Sequence, residues 1–593
     1  MEKKGFWFAL KSNVYVEFKE KRILLYDTKC GFIFIAMLVW LSSCTFSPRN
    51  NNVPVEMSMW EYTDSDVENL SLLCKIWGFM KYYHPEVRAG KYDWDHELLC
   101  VMPSLVSLPS KEKRNEVLVE WIDQFDFKKK RGNYTLCTSD SIKLLPDLKW
   151  IEDKGSLGTV LSDKLKEIRD AKRDTTSYYV NLGNENIGKA VFTHEERYSK
   201  CIFPNISYQL LSLFRLWNAI QYYFPYKYLL KDNWNEILLN HIPLFLEITS
   251  RMDYESALKR FIAEIHDTHA GIYGGPTKKY LVPVVIRFIE GKAVVTEYYE
   301  LKSEFKEEKQ ILQPGDVILR INSEAVDSII KRITPYISAS NKASLLRRIA
   351  VDELLWSNDT LLYVDYERNG VVEKSRIKCL PNRMRESTIF EKPHPLVTVL
   401  PSDILYLYLG SNIGGKVPQE IKAKKMIIDL RAYPVMKKIE GYWEYNTLYP
   451  SSTNFSIFTH GSLLQPGLFT FGPIIKAGKE NEDYYQGKKV ILINETTQSH
   501  AEFMTMKYRC TPNTVVMGST TAGADGNCSF LILPGNFRAT FTGLGVYYPD
   551  KSETQQIGIL PDIEVKSTIQ GIREGRDEVL EAAIKYLNTE EVR

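Results

Sequence analysis

The chain has 593 residues, 44% of them hydrophobic, so it can bury a large core and should divide into roughly three to five domains. Its 76 basic residues nearly balance its 74 acidic residues, and the two signs are interspersed along the chain. This balance argues against a nucleic-acid-binding protein, which would carry a basic surface.

The N-terminus has the features of a lipoprotein signal peptide. An apolar run from Gly31 to Leu41 follows a basic flank and is too short to span a bilayer comfortably. It ends in Leu41-Ser-Ser-Cys44, which looks like a lipobox with Cys44 as the lipidated residue. We therefore expect a signal peptide over residues 1–43 and an exported, membrane-anchored lipoprotein that faces the periplasm or the cell exterior. A short membrane anchor or a buried helix is the alternative interpretation.

The other cysteines are few and scattered. Seven remain after the signal peptide and Cys44 are set aside, and none stands in a C-x-x-C pair. An odd, dispersed set argues against a disulfide framework and against a cysteine metal site. We interpret these residues as small apolar side chains.

An internal repeat with a constant offset of 140 residues follows. Trp77 aligns with Trp217, and Trp94 with Trp234. In each copy apolar residues recur at intervals of three and four up to a proline, which predicts an amphipathic helix, and a second helix follows the second tryptophan. We expect helical domains over residues 44–131 and 206–280, joined by a connector over 132–205. The aromatic residues should pack between the helices, although a ligand platform is an alternative.

Beyond the second copy the apolar period changes to two. Strands are predicted over Val282–Phe288 and Lys292–Glu297. The following segment, Leu312–Asn322, reads L-x-P-G-D-V-I-L-R-I-N and resembles the peptide-binding PDZ domain. Such domains hold an extended peptide at a sheet edge. We assign a PDZ-like β-barrel to residues 281–385, with a passively packed barrel as the alternative.

The C-terminal part, residues 386–593, alternates apolar strands with helical segments. This pattern predicts a largely parallel α/β sheet that is buried on both faces. Ser499 lies where the strand Lys489–Asn494 gives way to a helix, so its hydroxyl would lie at a helix N-terminus. The amide of His500 could stabilise an oxyanion there. Helix capping is the alternative role for Ser499.

The order of motifs from Ile206 to Val565 resembles the tail-specific, or C-terminal-processing, serine peptidase family. The PDZ-like segment is followed by I-I-D-L-R, I-N-E-x-x-x-S-x-A-E, G-S-T-T-A-G and G-I-L-P-D-I-E-V. The resemblance implies a multidomain α+β and α/β protein with a crotonase-like peptidase core. It implies that Ser499 is the nucleophile and that polypeptides, not nucleic acids, are the partners. No cofactor or metal is implied. A crotonase-like acyl-CoA enzyme is a further alternative. The predicted export argues against it, because an exported protein would not meet the CoA of the cytoplasm.

The catalytic base differs between two branches of the family. One branch uses a lysine in T-F-G-K-G, but the corresponding segment here, Thr521–Gly526, has no lysine. The branch that resembles the tricorn core peptidase uses a histidine before the PDZ domain, which implies His269 as the general base. As alternatives, His269 could form half of a metal site with His266, or it could be a plain core or capping histidine.

Two further site assignments come from the same resemblance. The tricorn-like branch carries a glutamate on the strand before G-x-x-P-D, and the equivalent position here, three residues before Gly558, is Gln555. The orienting acid of the triad is therefore assigned to Glu553, two residues earlier and on the same face of that predicted strand. Gln555 could itself orient the ring through its amide oxygen. Asp525 is another candidate. The family loop I-D-x-R-x-N-x-G-G lacks its glycines here, and Pro434 has no amide hydrogen, so the second oxyanion donor is assigned to Val435. The alternative function is a catalytically impaired, lipid-anchored peptide- or glycan-binding protein.

Overall fold

The computed structural model describes two units of the chain, residues 1–53 and 54–593. The described residues are 17–18, 21–22, 61–128, 130–132, 139–183, 188–275, 277–306, 310–386, 392–411, 413, 415–418, 421–435, 439–440 and 447–589. In the first unit Glu17–Phe18 (β1) and Lys21–Arg22 (β2) form an antiparallel pair. The predicted apolar run and Cys44 lie outside the described residues. Within the described part, no helix is long and apolar enough to cross a bilayer.

Helices dominate the first half of the second unit. The α-helices are Asp64–Tyr83 (α1), Pro85–Arg88 (α2), Trp94–Val101 (α3), Lys111–Ile122 (α4), Lys154–Asp170 (α5), Ile206–Tyr223 (α6), Trp234–Leu246 (α7), Arg251–Ala263 (α8), Val326–Ile333 (α9), Lys342–Asp352 (α10), His500–Arg509 (α11), Ile569–Arg573 (α12) and Glu578–Asn588 (α13).

Strands dominate the second half. The strands are Ile142–Leu144 (β3), Val180–Asn181 (β4), Val191–Phe192 (β5), Gly271–Tyr273 (β6), Tyr280–Leu281 (β7), Val284–Ile289 (β8), Lys292–Tyr298 (β9), Val317–Ile321 (β10), Glu324–Ala325 (β11), Trp356–Ser357 (β12), Leu361–Arg368 (β13), Val371–Lys378 (β14), Leu380–Pro381 (β15), Val397–Leu400 (β16), Ile404–Tyr408 (β17), Gly415–Lys416 (β18), Lys425–Asp429 (β19), Ile439–Glu440 (β20), Thr453–Gly461 (β21), Phe469–Ala477 (β22), Lys488–Ile493 (β23), Thr514–Gly518 (β24), Cys528–Leu533 (β25), Phe537–Thr542 (β26), Gly545–Tyr547 (β27) and Ile563–Glu564 (β28).

The repeated helix pairs have the same internal hydrogen bonds. The indole nitrogens of Trp77 and Trp94 each donate to the other's carbonyl, both at 2.9 Å. Trp217 and Trp234 do the same at 2.9 and 3.2 Å. Because a buried indole N–H needs an acceptor, each pair fixes α1 against α3 or α6 against α7. The predicted helices and the predicted packing of the tryptophans are confirmed.

The two copies pack against each other through equivalent positions. Gly78 and Asn218 occupy the same place in the repeat, and a Cβ on Gly78 would lie 1.8 Å from the Asn218 Oδ1 atom. The missing side chain leaves room for Asn218, whose amide donates to the carbonyl of Cys74 at 3.0 Å. One hydrophobic cluster contains residues of both copies, together with Phe541 and Tyr547 from the C-terminal part.

The connector between the copies contains more structure than the sequence predicts. Helix α5 begins after Asp153, whose carboxylate accepts from the amides of Gly155 and Ser156. Its buried residues Leu157, Leu161, Leu165 and Ile168 recur at helical spacing, a signal that the sequence analysis overlooks. Strand β3 pairs with β22. The connector therefore contacts the C-terminal part of the chain.

The predicted strands of the PDZ-like segment form one antiparallel sheet. Its order is β14-β13-β10-β9-β8, with β11 beside β10. Strand β8 lies at one edge of this sheet, and helix α10 packs against it. A sheet edge leaves backbone donors and acceptors unpaired by the sheet itself. The sequence locates β8 and β9 with shifts of no more than two residues at the ends, and β10 occupies the second half of the Leu312–Asn322 segment.

The predicted parallel sheet is present in the C-terminal part. Its order is β16-β17-β19-β23-β24-β28, and all pairs except β16–β17 are parallel. Leu405, Leu407 and Ile491 share a hydrophobic cluster with residues of α11. Alternate residues such as Ile404 and Val490 pack with residues of α13. The mixed α+β, multidomain fold class is thus confirmed, and the sheet is covered on both faces as its apolar strands predict.

Candidate active site

Ser499 lies in the turn between β23 and α11. The hydroxyl of Thr497 accepts from the amide of Asn494 at 3.1 Å and donates to the carbonyl of Leu430 at 2.9 Å. Ser499 has φ 56° and ψ −120°. A non-glycine residue in such a conformation costs about 1–3 kcal/mol, so the surrounding contacts must hold it. A sharp, strained strand-to-helix turn of this kind presents a serine hydroxyl away from the sheet.

The carboxylate of Glu502 provides several of those contacts. It is buried, and its Oε2 atom accepts from the amides of Ser499 and Ala524, both at 3.1 Å. Its Oε1 atom accepts from the hydroxyl of Thr521 at 2.5 Å and from the amide of Gly523 at 2.8 Å. Burial raises the pKa of Glu502, and these donors partly offset that rise. One carboxylate thus joins the serine turn to residues 521–524, which we call the clamp loop.

The clamp loop also contacts the segment that carries His269. The carbonyl of Ala524 accepts from the amide of Ser499 at 3.0 Å. Two residues earlier, the carbonyl of Ala522 accepts from the hydroxyl of Thr268 at 3.2 Å. Ser499 and the residue beside His269 are therefore bonded to the same short loop. The structure brings together these two parts of the chain, which lie 230 residues apart in the sequence.

His269 is buried, and its Nδ1 atom lies 3.0 Å from the hydroxyl oxygen of Thr542. That hydroxyl lies 2.9 Å from Asp267 Oδ1. An ionised carboxylate only accepts, so the single hydroxyl hydrogen of Thr542 points to Asp267. Thr542 then accepts from Nδ1–H of His269. This tautomer leaves the lone pair on Nε2, the nitrogen that a general base uses.

Asp267 is fully buried, and its carboxylate accepts several hydrogen bonds. Its donors include the amide of His269 at 3.0 Å and the amide of Thr542 at 2.6 Å. Burial lowers the pKa of His269, while the negative charge of Asp267 raises it. The imidazole is therefore neutral at neutral pH, and Asp267 is the carboxylate that would stabilise its protonated form.

Helix α10 ties both segments to the PDZ-like sheet. Arg347 donates to the side-chain oxygen of Gln498 at 2.6 Å, next to Ser499. Arg348 donates to the carbonyl of Ala270 at 2.8 Å, next to His269. The relative position of the two segments thus depends on α10 as well as on the clamp loop.

The predicted orienting residues lie in different places. Glu553 accepts from Lys143 at 2.7 Å and from the Tyr228 hydroxyl at 2.6 Å, so its carboxylate is engaged away from His269. The chain around it forms a bridge and a turn, not the predicted strand. Gln555 belongs to the histidine network, because its amide donates to Asp267 Oδ1 at 3.2 Å. These contacts do not place Glu553 at His269; the carboxylate that reaches His269 is that of Asp267, through Thr542.

Asp525, the other candidate acid, follows the clamp loop. Burial, together with the charge of Glu502, raises the pKa of Asp525 well above its usual value, although the Gly526 amide opposes this. Its surroundings therefore disfavour the ionised form that would stabilise an imidazolium.

The two oxyanion donors predicted from the sequence are the backbone amides of His500 and Val435, and their hydrogen bonding differs. His500 is the first residue of α11, where the backbone amide has no partner within the helix. The amide of Val435 donates to the carbonyl of Leu409 at 3.1 Å. The role assigned to Val435 would require this hydrogen bond to break. Tyr433 belongs to the same loop; burial raises the pKa of its hydroxyl, and its interactions with the Ser499 side chain and the His500 backbone oppose this rise.

The catalytic hydrogen bond itself is not formed in this structure. Among the described residues, none joins His269 Nε2 to Ser499 Oγ. Such contacts are often long without substrate and shorten when it binds. No group of three or more His, Cys, Asp or Glu side chains in the described part could hold a metal ion.

Sequence reasoning misses three residues of this site. Asp267 lies two residues before His269, but only the folded chain shows that it reaches Thr542. Thr542 carries no motif at all. Tyr433 stands where the family loop carries an asparagine, and this departure is the sequence feature that could have drawn attention to it.

A cavity of about 960 Å³ lies next to the serine turn. Strand β8 contributes residues 285–289, and α10 contributes Lys342, Leu346 and Arg347. The parallel sheet closes it with Ile493, Asn494 and Glu495. The open edge of β8 thus borders a large space that reaches the start of the turn leading to Ser499.

Replacement of Glu502 by glutamine should destabilise the protein. Two of the four donors would then face an amide NH₂, and leaving buried donors unpaired costs about 1–3 kcal/mol. We expect a lower thermal unfolding midpoint for Glu502→Gln. Glu564→Gln is the matched control, because Glu564 pairs with Lys566 on the surface. Equal midpoints for the two variants would contradict the structural role of Glu502.

The chain was compared with known proteins. Residues 409–565 match the sequence model of Peptidase family S41. No curated protein matches significantly. The solved structure of mature CPAF complexed with lactacystin is 14% identical, with 64% of this chain and 98% of that chain covered and a TM-score of 0.49. The photosystem II D1 C-terminal processing protease is 15% identical, with 65% of this chain and 98% of that chain covered and a TM-score of 0.36. Both scores are too low for the likeness to define this fold.

The matched segment contains the strand-to-helix turn, the clamp loop and the loop that carries Tyr433. The resemblance that the motifs indicate is therefore confirmed by a family match over the region whose geometry is described above. Residues 409–565 thus match peptidase family S41, the tail-specific peptidases, and this match supports a serine-type peptidase.

Proposed function

We propose that this protein is a serine endopeptidase that cleaves exported proteins or peptides through an acyl-enzyme on Ser499, with His269 as the general base. The observation that carries the proposal is the attachment of both segments to the clamp loop: Ser499 to the carbonyl of Ala524, and Thr268, beside His269, to that of Ala522. Hydrogen bonds to the same short loop bring the segments of the proposed nucleophile and base into one site.

The reaction follows from the hydrogen bonds of the two residues. His269 Nε2 takes the proton of Ser499 as Oγ attacks the peptide carbonyl, and the His500 amide stabilises the oxyanion. The protonated imidazole then gives its proton to the leaving amine. Asp267 stabilises the imidazolium through Thr542. Water, deprotonated by the same histidine, attacks the acyl-enzyme and releases the new carboxylate.

We propose that substrate chains enter along strand β8. Its free edge can accept an extended peptide by strand addition, in the manner of PDZ domains, and the adjoining cavity has room for side chains. The cavity continues to residues 493–495, which lead into the serine turn. These features support a PDZ-like domain over residues 281–385 and a crotonase-like core over 386–593, preceded by helical domains over 44–131 and 206–280.

A fluorophosphonate probe tests the nucleophile and the base together. The wild-type protein should be labelled at Ser499, and both Ser499→Ala and His269→Ala should abolish labelling and hydrolysis of unstructured peptides with free C-termini. Ser402→Ala is the matched control, because Ser402 is an exposed serine that also has a positive φ, 66°. Labelling that persists in Ser499→Ala would disprove the assignment of Ser499 as the nucleophile. No labelling of the wild type would favour a catalytically impaired binding protein.

The role of Asp267 predicts a specific pH dependence. The lowered pKa of His269 should place the acidic limb of kcat/KM below pH 6.5, the usual value for histidine. Asp267→Asn removes the charge that raises this pKa, so the limb should move to still lower pH while kcat falls. A purely structural loss would lower activity without moving the limb, and that result would refute the proposal. Asp365→Asn, on the PDZ-like sheet, serves as the control.

We further propose that Cys44 carries a lipid that anchors the protein to a membrane, facing the periplasm or the cell exterior. The lipobox-like sequence before Cys44 supports this. In a bacterial host that processes lipoproteins, the full-length protein should incorporate labelled palmitate and sediment with membranes, whereas Cys44→Ala should do neither. Cys201→Ala, which removes a partly exposed free thiol, should behave like the wild type. Palmitate incorporation by Cys44→Ala would disprove the anchor.

A further inference from the structure

The face of the sheet β25-β26-β6 on which His269 lies continues beyond the imidazole. His269 contacts β26 twice on this face: its Nδ1 atom lies 3.0 Å from the Thr542 hydroxyl, and its carbonyl accepts from the Thr540 hydroxyl at 2.7 Å. Alternate residues of a strand share a face, so Arg538 lies on the same face. Thr542 and Thr540 are buried, whereas Arg538 is exposed. The face therefore leads from the imidazole to the surface of the protein.

Two exposed aromatic side chains lie on this face. Phe530 of β25 is the cross-strand partner of Thr540, and Tyr273 of β6 is that of Arg538. Directly opposite residues of an antiparallel pair have Cβ atoms about 4.5–5.5 Å apart, so Phe530 lies beside the residue that holds the His269 carbonyl. Phe530 and Tyr273 are 46% and 48% exposed. Both rings are therefore open to a molecule that binds next to His269.

Arg538 joins the two rings into one surface, which we call the aromatic shelf (Phe530, Arg538 and Tyr273). Its guanidinium carbon lies 5.2 Å from the ring centre of Phe530 and 5.5 Å from that of Tyr273, distances at which a cation is attracted to an aromatic ring. A Cβ on Gly271 would lie 3.3 Å from the Tyr273 hydroxyl oxygen. The Tyr273 ring thus leans along β6 toward His269, over the place where other residues would have a side chain.

The aromatic shelf is positively charged. Lys189 adds a second cation, with its ammonium nitrogen 5.7 Å from the ring centre of Phe530 and bonded to the carbonyl of Cys528 at 3.0 Å. Of the side chains that the structure describes, no carboxylate forms an ion pair with Arg538 or Lys189. Exposed rings beside two such cations are complementary to a ligand that carries both a large apolar group and a carboxylate.

We propose that the aromatic shelf is a substrate subsite that determines specificity. It binds a large apolar or aromatic side chain of the polypeptide near the scissile bond, with an acidic side chain of the same segment beside Arg538. Because His269 gives its proton to the leaving amine, the substrate chain lies against the imidazole as it reacts, and the shelf is the exposed continuation of that face. The shelf belongs to a different sheet from β8, so it holds the substrate at a second place. This inference rests on the proposed serine peptidase reaction.

Fluorescently labelled peptides test the subsite on the Ser499→Ala protein, which leaves them intact. Three unstructured peptides of equal length are compared, with Phe-Glu, Ala-Glu or Phe-Lys at their centre. We expect the Phe-Glu peptide to bind about tenfold more tightly than either of the others, since covering part of a ring contributes less than its full burial. Adding Phe530→Ala should remove the advantage over Ala-Glu, and adding Arg538→Gln the advantage over Phe-Lys. Adding Tyr363→Ala, at an exposed tyrosine on β13, is the matched control and should preserve both.

Unfolding midpoints equal to that of Ser499→Ala show that the added changes leave the protein folded. The same three peptides are then compared by kcat/KM in proteins that retain Ser499, where the ranking should be the same. Equal affinities for the three peptides, or preferences that Phe530→Ala and Arg538→Gln leave unchanged, would overturn the subsite while any hydrolysis retains the peptidase. Preferences that depend on the shelf, in a wild type that neither hydrolyses peptides nor reacts with the fluorophosphonate probe, would instead reject the serine peptidase reaction and retain the shelf as a peptide-binding surface.

Discussion

The buried carboxylate of Glu502 is the contact on which the site depends. Ser499 has a strained backbone, and its amide must be satisfied inside the protein. Glu502 accepts from that amide and from three groups of the clamp loop, so a single side chain fixes the turn and the loop together. The strain at Ser499 persists because these hydrogen bonds oppose its release. The glutamate of the S-x-A-E motif thus has a structural explanation.

The negative charge in the hydrogen-bond network of His269 comes from a different residue than the family pattern predicts. The position at which the family carries a glutamate is Gln555 here, and its amide donates to Asp267. Asp267 has the negative charge, and Thr542 transmits its effect to the imidazole. A carboxylate that acts through a hydroxyl orients the ring as directly as one bonded to it, since the hydroxyl has only one hydrogen to give. The loss of one acid is therefore offset by another from a different segment.

The loop that carries Tyr433 presents a related substitution. Its neighbouring Arg431 bonds Asp429 and Asp577 at 2.6 and 2.8 Å, which ties the end of β19 to the start of α13. With the strand end fixed in this way, Pro434 and Val435 leave no free amide toward Ser499.

The sequence by itself located the main elements and singled out Ser499. Apolar periods located α1, α6 and the strands of the parallel sheet, because burial of one face imposes such periods on any chain. Motif order indicated the family and drew attention to Ser499 and His269. Tertiary structure alone decided the contacts: Asp267 reaches the imidazole through Thr542, Glu553 is engaged by Lys143 and Tyr228, and the Val435 amide is bonded to the Leu409 carbonyl. Hydrogen bonds between residues hundreds of positions apart depend on how segments pack, and spacing along the chain contains no record of that packing.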